Sequence, residues 1–480
     1  MTIFEILLLV LVAVLYRFIV STQWGARGRG WILLILSTVA IFWLQPSMPI
    51  RFLDFWLPLG TLAITIYSWL LTAEFDQKRN RENWLAGVVI LLLVLFIALT
   101  RYLSLEGLIT ANRPPQTLQV GIGLLIFVIV AILLSWLGKP STRWLASGII
   151  MLLAIFIILK LPVMSLWVSS MLRTWVGQSS AGASALDIRW LGFSYVAFRL
   201  IHALRDRQAG RLPAVTLRDY LNYVIFFPAI SAGPIDKLQR FDKDLQKPLQ
   251  LNGEVFENAF SRLVVGIFKK FAVADTIALI ALNSQNAGQI QTNGWGWIMV
   301  YAYAYQIFFD FSGYTDIAIG LGQLLGIQLP ENFNRPYLKP NLTQFWNNWH
   351  MTLTQWFRAY FFNPFTRSLR THYRNLSPAW VILITQLSTM VLIGLWHGIT
   401  WNFVLWGAWH GLGLFLQNRY SDWVKQKISW IDQKPIFQKS IQIFNVVLTF
   451  HFVALGWVWF ALPEVTLSIS VFTRLLGLGT

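Results

Sequence analysis

The sequence has no cysteine. That excludes a disulfide framework, a thiolate nucleophile and thiolate metal sites. Charge is also scarce: 12% of the 480 residues are Asp, Glu, Lys or Arg, against 56% hydrophobic residues. A soluble globular protein is thereby excluded. Short alternating segments of the kind a β-barrel needs are missing. So are a GxSxG nucleophile elbow and the Rossmann and P-loop fingerprints. No HxxxH or HxxE pair occurs, so the histidines make an unattractive metal site and none is assigned.

What remains is apolar helix. Mean hydropathy is +0.56, and several runs reach the about 20 residues a helix needs to cross a bilayer core. The reading is an all-α polytopic membrane protein. Six apolar segments fill the first third, near 2–20, 31–45, 52–72, 84–100, 118–137 and 144–160. They form a divergent N-terminal region, 1–160, followed by a core over 161–480. The net charge of +17 reads as loop charge that retains loops in the cytoplasm, not as a nucleic-acid surface. Arg27 and Arg29, then Lys78, Arg79 and Arg81, then Lys139 and Arg143 fall on one side. Arg51, Arg101 and Arg113 fall on the other, so the N-terminus is expected outside. The first segment has Glu5 and no basic leader, and reads as a retained helix, not a signal peptide.

Beyond residue 160 the texture changes. VMSLWVSSMLRTWVGQSS is amphipathic and short, and is expected to lie along the outer surface. His202 falls among arginines and is expected to be solvated. Pro228 and Gly233–Pro234 interrupt the next apolar stretch, which suggests a re-entrant element, since irregular backbone at membrane depth must be buried in protein. In FFDFSGYTDIAIGLGQLLGI, Asp310 and Tyr314 are one turn apart, as are Ser312 and Asp316. These aspartates either line a cavity or bond to neighbouring helices. Gly313, Gly320, Gly322 and Gly326 would let such helices approach closely.

The stretch from Thr343 to Gly411 concentrates the chemistry. His350, His397 and His410 each follow a tryptophan, and ionisable groups at membrane depth are functional candidates. Asn341 or Thr343 caps a helix whose face repeats Trp346, Trp349, Leu353, Trp356 and Tyr360, ending before Pro364. His350 adjoins that face. His372 reads as a solvated loop residue. A second helix, roughly 378–397, presents His397 from its apolar end, and Asn402, Trp406 and His410 step up the next helix. Thirteen residues separate His397 from His410, so one two-histidine site is not assumed. A neutral imidazole can take a proton from an alcohol and return it to a leaving group. From the residues alone the reading stops at a membrane enzyme or a transporter. Against the transporter, no repeated halves with matching broken helices occur.

The runs FFDFSGYTDIAIGLGQLLGI, ENFNRPYLKPNLTQFWNNWHMTLTQWFRAY and GLWHGITWNFVLWGAWHG resemble the bacterial branch of the membrane-bound O-acyltransferase family. FFPAISAGPI and FHFVALGWVWF resemble further family signatures, so the likeness covers roughly 185–460. The resemblance implies roughly 11–13 transmembrane helices, with re-entrant and interfacial helices around a central funnel. It implies an acyl group, acetyl above all, moved from a cytoplasmic thioester to a hydroxyl of an envelope polysaccharide. By motif, His397 would be the general base and His350 its neighbour. Trp346, Asn348, Trp349, Trp396, Trp401, Asp310 and Asp316 are candidate funnel residues, and His410 is left a structural hydrogen-bonding role. Two positions depart from the family pattern: Asn348 stands where arginine is usual and Ala359 where aspartate is usual.

No bound cofactor is implied. The donor would be acetyl-CoA or an acyl-carrier thioester, with D-alanyl transfer to a teichoic-acid-like polymer as the alternative. Expected partners are the bilayer, the polysaccharide acceptor, and a carrier protein or extracytoplasmic acyltransferase, with no nucleic acid. The location implied is the bacterial cytoplasmic membrane. Basic residues over 237–248 could receive an acidic carrier or the phosphates of coenzyme A, although ordinary topology charge is the favoured explanation.

Overall fold

A computed structural model describes residues 1–103, 107–136, 141–427 and 435–478. Among these no strand occurs, and eight helices are long and apolar enough to cross a membrane. Lys139 lies outside the described residues. The chain forms two compact units, residues 1–263 with 317–330, and 264–316 with 331–480. Residues 1–160 lie within the first.

The first unit opens with six membrane helices: α1 (Ile3–Val20), α2 (Gln23–Trp43), α3 (Leu53–Thr72), α4 (Arg81–Leu99), α5 (Thr117–Ser135) and α6 (Thr142–Lys160). Several start ahead of their apolar runs because a polar cap sets the first turn. Thr22, Asn80 and Ser141 each accept a backbone N–H from the following turn. The amphipathic α7 (Pro162–Trp175) is too short to span. Asp187, from the loop after it, accepts hydrogen bonds from Ser169 Oγ at 2.7 Å and Arg173 Nε at 2.8 Å.

Next come α8 (Phe193–Gln208), α9 (Leu217–Val224), α10 (Leu238–Gln246) and α11 (Gly253–Ile267). The broken stretch between α9 and α10 is buried, as its prolines and glycine suggest. Its carbonyls find an internal donor. The buried Arg199 guanidinium donates to Tyr223 O, Val224 O and Ala229 O, at 3.3, 2.7 and 2.8 Å. Gly192, at φ 62°, passes so close to Ile230 O that a Cβ would sit 2.1 Å from it.

Three sequence expectations are corrected in this unit. His202 is not solvated: it is 1% exposed, with Nε2 3.2 Å from Asp206 Oδ2. Arg205 is exposed, but one turn of helix brings Asp206 inward beside the ring. Arg29 is not a loop charge. It is buried, and its guanidinium donates to Asp244 O, Lys247 O, Leu325 O and Gly326 O. Lys78 is buried as well. In the 237–248 segment, Arg240 and Lys247 pair with Asp236 and Asp244, at 2.8 and 2.6 Å.

The second unit holds residues 293–316 of the 33-residue α12 (Asn293–Leu325), then α13 (Leu342–Asn348), α14 (Met351–Phe357), α15 (Asn363–His372), α16 (Pro378–His397), α17 (Trp401–Lys427), α18 (Pro435–Ala461) and α19 (Val465–Leu475). Asn341 caps α13 by accepting Gln344 N–H at 2.8 Å. The single helix expected from 343 to Pro364 is three pieces. It breaks at Trp349–His350 and passes through a π turn over Arg358–Phe362. Pro364 does not end a helix: it stands in the first turn of α15, where a missing N–H costs nothing.

Helices α16 and α17 form a hairpin with interlocked backbones. A Cβ at Gly394 would lie 2.1 Å from Phe403 O, and one at Gly407 2.5 Å from Met390 O. Gly313 of α12 plays a similar part against Gly266 O, at 2.7 Å. Close approach at small residues was the expectation here.

Candidate active site

His350 occupies the break between α13 and α14. Its backbone is left-handed, φ 41° and ψ 54°, a region non-glycine residues rarely enter. Asn332 holds it there. Asn332 O accepts Met351 N–H at 2.9 Å, and its Oδ1 accepts both Thr352 N–H, at 3.2 Å, and Thr352 Oγ1, at 2.6 Å. Asn334 N–H donates to Asn348 O at 3.1 Å on the other flank of the break. The irregular backbone thus has its hydrogen bonds supplied by a neighbouring strand of chain. The His350 ring is 3% exposed, and both its nitrogens are buried without a hydrogen-bond partner among the described residues. Phe311 of α12 meets it edge-on at 4.6 Å between centroids.

His397 is the last residue of α16 and is half-buried. Trp396, Phe460, Trp406 and Phe403 surround its ring, at 4.5, 4.7, 5.6 and 5.9 Å between centroids. The Trp396 indole also lies 6.2 Å from His350. Two of the three central histidines therefore flank one tryptophan.

His410 is separate. It is fully buried in a cage of Trp346, Trp406, Phe452 and Trp457, at 5.0 to 6.2 Å between centroids. Both its nitrogens lack a hydrogen-bond partner among the described residues, so the structural hydrogen bond expected of it is not there. Aromatic faces fill the space where a partner would stand.

A cavity of about 200 Å³ lies between the broken helix and the α16–α17 hairpin. Trp346, Thr354 and Arg358 line one side, and Gln386, Met390 and Ile393 the other. Gln386, Met390 and Ile393 share a face of α16 with His397, at steps of four, three and four residues. The cavity follows the helix face that ends in that histidine, but its lining stops at Ile393 and includes neither His350 nor His397.

The other candidates divide. Trp349 packs among Phe333, Phe345 and Trp457 as core. Trp401, at 74% exposed, stands apart from the histidines. Asp310 and Asp316 bond across helices: Lys270 pairs with Asp310, and Lys269 Nζ reaches Asp316 Oδ2 at 2.6 Å. A π segment, Phe268–Ala274, aims the adjacent lysines at α12. Asn348 Nδ2 donates to Gln344 O at 2.8 Å. Ala359 is exposed, and the retained Arg358 donates to Asn347 Oδ1 instead.

Sequence reading overlooked Asn332, Phe311 and the pair Tyr301–His451, whose Oη and Nε2 lie 2.9 Å apart. Asn332 stands in an asparagine-rich loop with nothing to single it out. The adjacent Lys269 and Lys270 in an apolar stretch were a legible sign of buried acidic partners.

Residues 142–455 match the model of the membrane-bound O-acyltransferase family. The chain belongs to that family.

The match takes in all six histidines and most of the second unit. Among curated relatives, a probable alginate O-acetylase of Pseudomonas syringae pv. tomato is 30% identical over 74% of this chain and 67% of its own length. The teichoic acid D-alanyltransferase of Bacillus subtilis is 31% identical over 57% of the chain and 69% of its own length. The peptidoglycan O-acetyltransferase of Helicobacter pylori is 32% identical over 54% and 47%. This membrane-bound O-acyltransferase is thus a multi-pass membrane enzyme that transfers acyl groups.

Proposed function

We propose that the protein transfers an acetyl group from a cytoplasmic thioester, acetyl-CoA or an acyl-carrier protein, to a hydroxyl of a cell-envelope polysaccharide, with His397 as general base. In this reading His397 takes the proton of the acceptor hydroxyl as its oxygen attacks the thioester carbonyl. The C–S bond then breaks, and the imidazolium returns the proton to the departing thiolate. His350 orients groups beside it. The observation that carries the reading is the pair of histidines flanking Trp396, one of them in a left-handed conformation with both nitrogens unpartnered. Unusual backbone held by its surroundings is typical of functional sites.

The names of the relatives support an envelope polymer as acceptor. The protein would sit in the bacterial cytoplasmic membrane with its N-terminus outside, and would work with a carrier or an extracytoplasmic acyltransferase.

The test is acyl transfer in proteoliposomes, offering radiolabelled acetyl-CoA and a charged carrier protein separately. One donor should label the acceptor, and His397→Ala should abolish it. Transfer that survives His397→Ala removes that residue from the role of base. Labelling by D-alanyl carrier in place of acetyl donor overturns the acyl assignment.

A further inference from the structure

From Asn332 to Ser421 the chain has no Asp or Glu, although Lys and Arg continue through it. Asp422, which closes the stretch, is already paired with Arg419 at 2.9 Å. Three arginines gather this charge at α15. Arg367 and Arg370 lie one turn apart on the helix, and Arg374 stands in the turn that follows it. All three are exposed, and their guanidinium groups make no hydrogen bond or ion pair among the described residues. The other side of the helix faces protein. Leu369 is buried, Phe365 is half-buried, and the Phe361 and Phe365 rings lie 5.4 Å apart.

The level of this helix follows from its neighbour. α16 begins soon after, at Pro378, and is one of the helices long and apolar enough to cross a membrane. Trp380 in its first turn is 58% exposed, and Tyr373 at the end of α15 is 60% exposed. Exposed tryptophan and tyrosine beside a span collect at the headgroups, and basic residues there mark the cytoplasmic side. Retaining a loop in the cytoplasm requires neither a shared helix face nor freedom from acids. Attraction to the helix dipole acts on cations of the last turn, which accounts for Arg370 and leaves Arg367 and Arg374 unexplained.

We propose that the arginine face of α15 binds the phosphates of anionic phospholipids in the adjoining leaflet. A guanidinium fork meets two phosphate oxygens at once, and a basic amphipathic helix at the interface is drawn to a negative membrane surface. The contact reaches the cavity beside α16. α15 continues directly from the π turn over Arg358–Phe362, and Phe362 of that turn lines the cavity. Lipid bound at α15 anchors this wall to the membrane surface.

Native mass spectrometry of the delipidated full-length protein, with phosphatidylglycerol or phosphatidylcholine added back, tests this. The wild type should retain phosphatidylglycerol several-fold more than phosphatidylcholine. Changing Arg367, Arg370 and Arg374 together to Gln should remove most of that preference, and changing all three to Lys should keep much of it. Arg205→Gln with Lys237→Gln and Lys243→Gln takes the same charge from other exposed positions and should leave the preference intact. If the first triple variant fails to fold, Arg367→Gln and Arg374→Gln singly should each lower the preference. A preference unchanged without the three arginines, as when an acidic protein and not lipid occupies the face, overturns the proposal. An equal loss in the charge-matched control overturns it as well, since net charge would then be the cause.

Discussion

Thr352 is tied to Asn332 twice, its N–H and its hydroxyl both donating to the one Oδ1, at 3.2 and 2.6 Å. Both residues are buried, and Thr352 stands two residues beyond the left-handed His350. Replacing Asn332 by Ala removes the acceptor of two buried hydrogen bonds, a loss of about 1–3 kcal/mol each at most. Asn332→Ala should therefore lower the thermal midpoint in detergent and depress acyl transfer together. Thr352→Ser, which keeps the hydroxyl, should leave both near wild type.

At position 350 the usual order of alanine and glycine should reverse. A left-handed conformation costs a residue with a Cβ about 1–2 kcal/mol, and glycine avoids it. His350→Gly should unfold at a higher temperature than His350→Ala, although both lose the imidazole. Equal midpoints would mean that the turn relaxes once the ring is gone.

Lys269 and Asp316 form a close pair at 2.6 Å, with side chains 29% and 11% exposed. Removing either partner leaves a poorly hydrated charge. Lys269→Ala and Asp316→Ala should each destabilise the fold, and the double variant should cost less than their sum by about 1 kcal/mol or more. Thermal melts of the four proteins complete the cycle. Strict additivity would show that the lysine and aspartate do not sense one another.

Acid should loosen the loop at Asp187. Burial alone would raise this carboxyl, but hydrogen bonds from Arg173, Ser169 and Ser184 N–H, with the Arg173 charge, hold it below its ordinary value. A depressed folded pKa gives stability that is complete above the unfolded value, about 3.9, and is lost as pH falls through the folded one. The midpoint should fall with acid below about pH 4 in the wild type. In Asp187→Asn it should start lower and respond less over the same range.

The architecture was legible because hydropathy and caps are local signals. Runs of apolar residues located the membrane helices, and Thr22, Asn80 and Ser141 account for the few residues by which they start early. The flanking of Trp396 by His350 and His397 was not legible from spacing, since 46 residues of chain lie between them; family motifs named the two and the fold joins them. The break at His350 was hidden because Trp346, Trp349, Leu353 and Trp356 keep helical periodicity across it. Periodicity reports which side is buried, and the short helices on either side of the break both bury theirs. Arg29 and His202 were misread for one reason. Sequence shows the sign of a charge and its neighbours along the chain, while carbonyls of residues 325 and 326 and the carboxylate of Asp206 lie where only the fold brings them.

The interlocked glycines of α16 and α17 bear on how the enzyme moves. Backbones within van der Waals reach at Gly394 and Gly407 leave no slack for the two helices to slide or part. The hairpin is therefore expected to move as one unit. Breathing of the cavity is expected from its opposite wall, the interrupted helix between Leu342 and His372, where a left-handed residue and a π turn depart from the regular α-helical ladder. Substrate exchange would then be paced by that wall, and its softness is a property that hydrogen exchange can time.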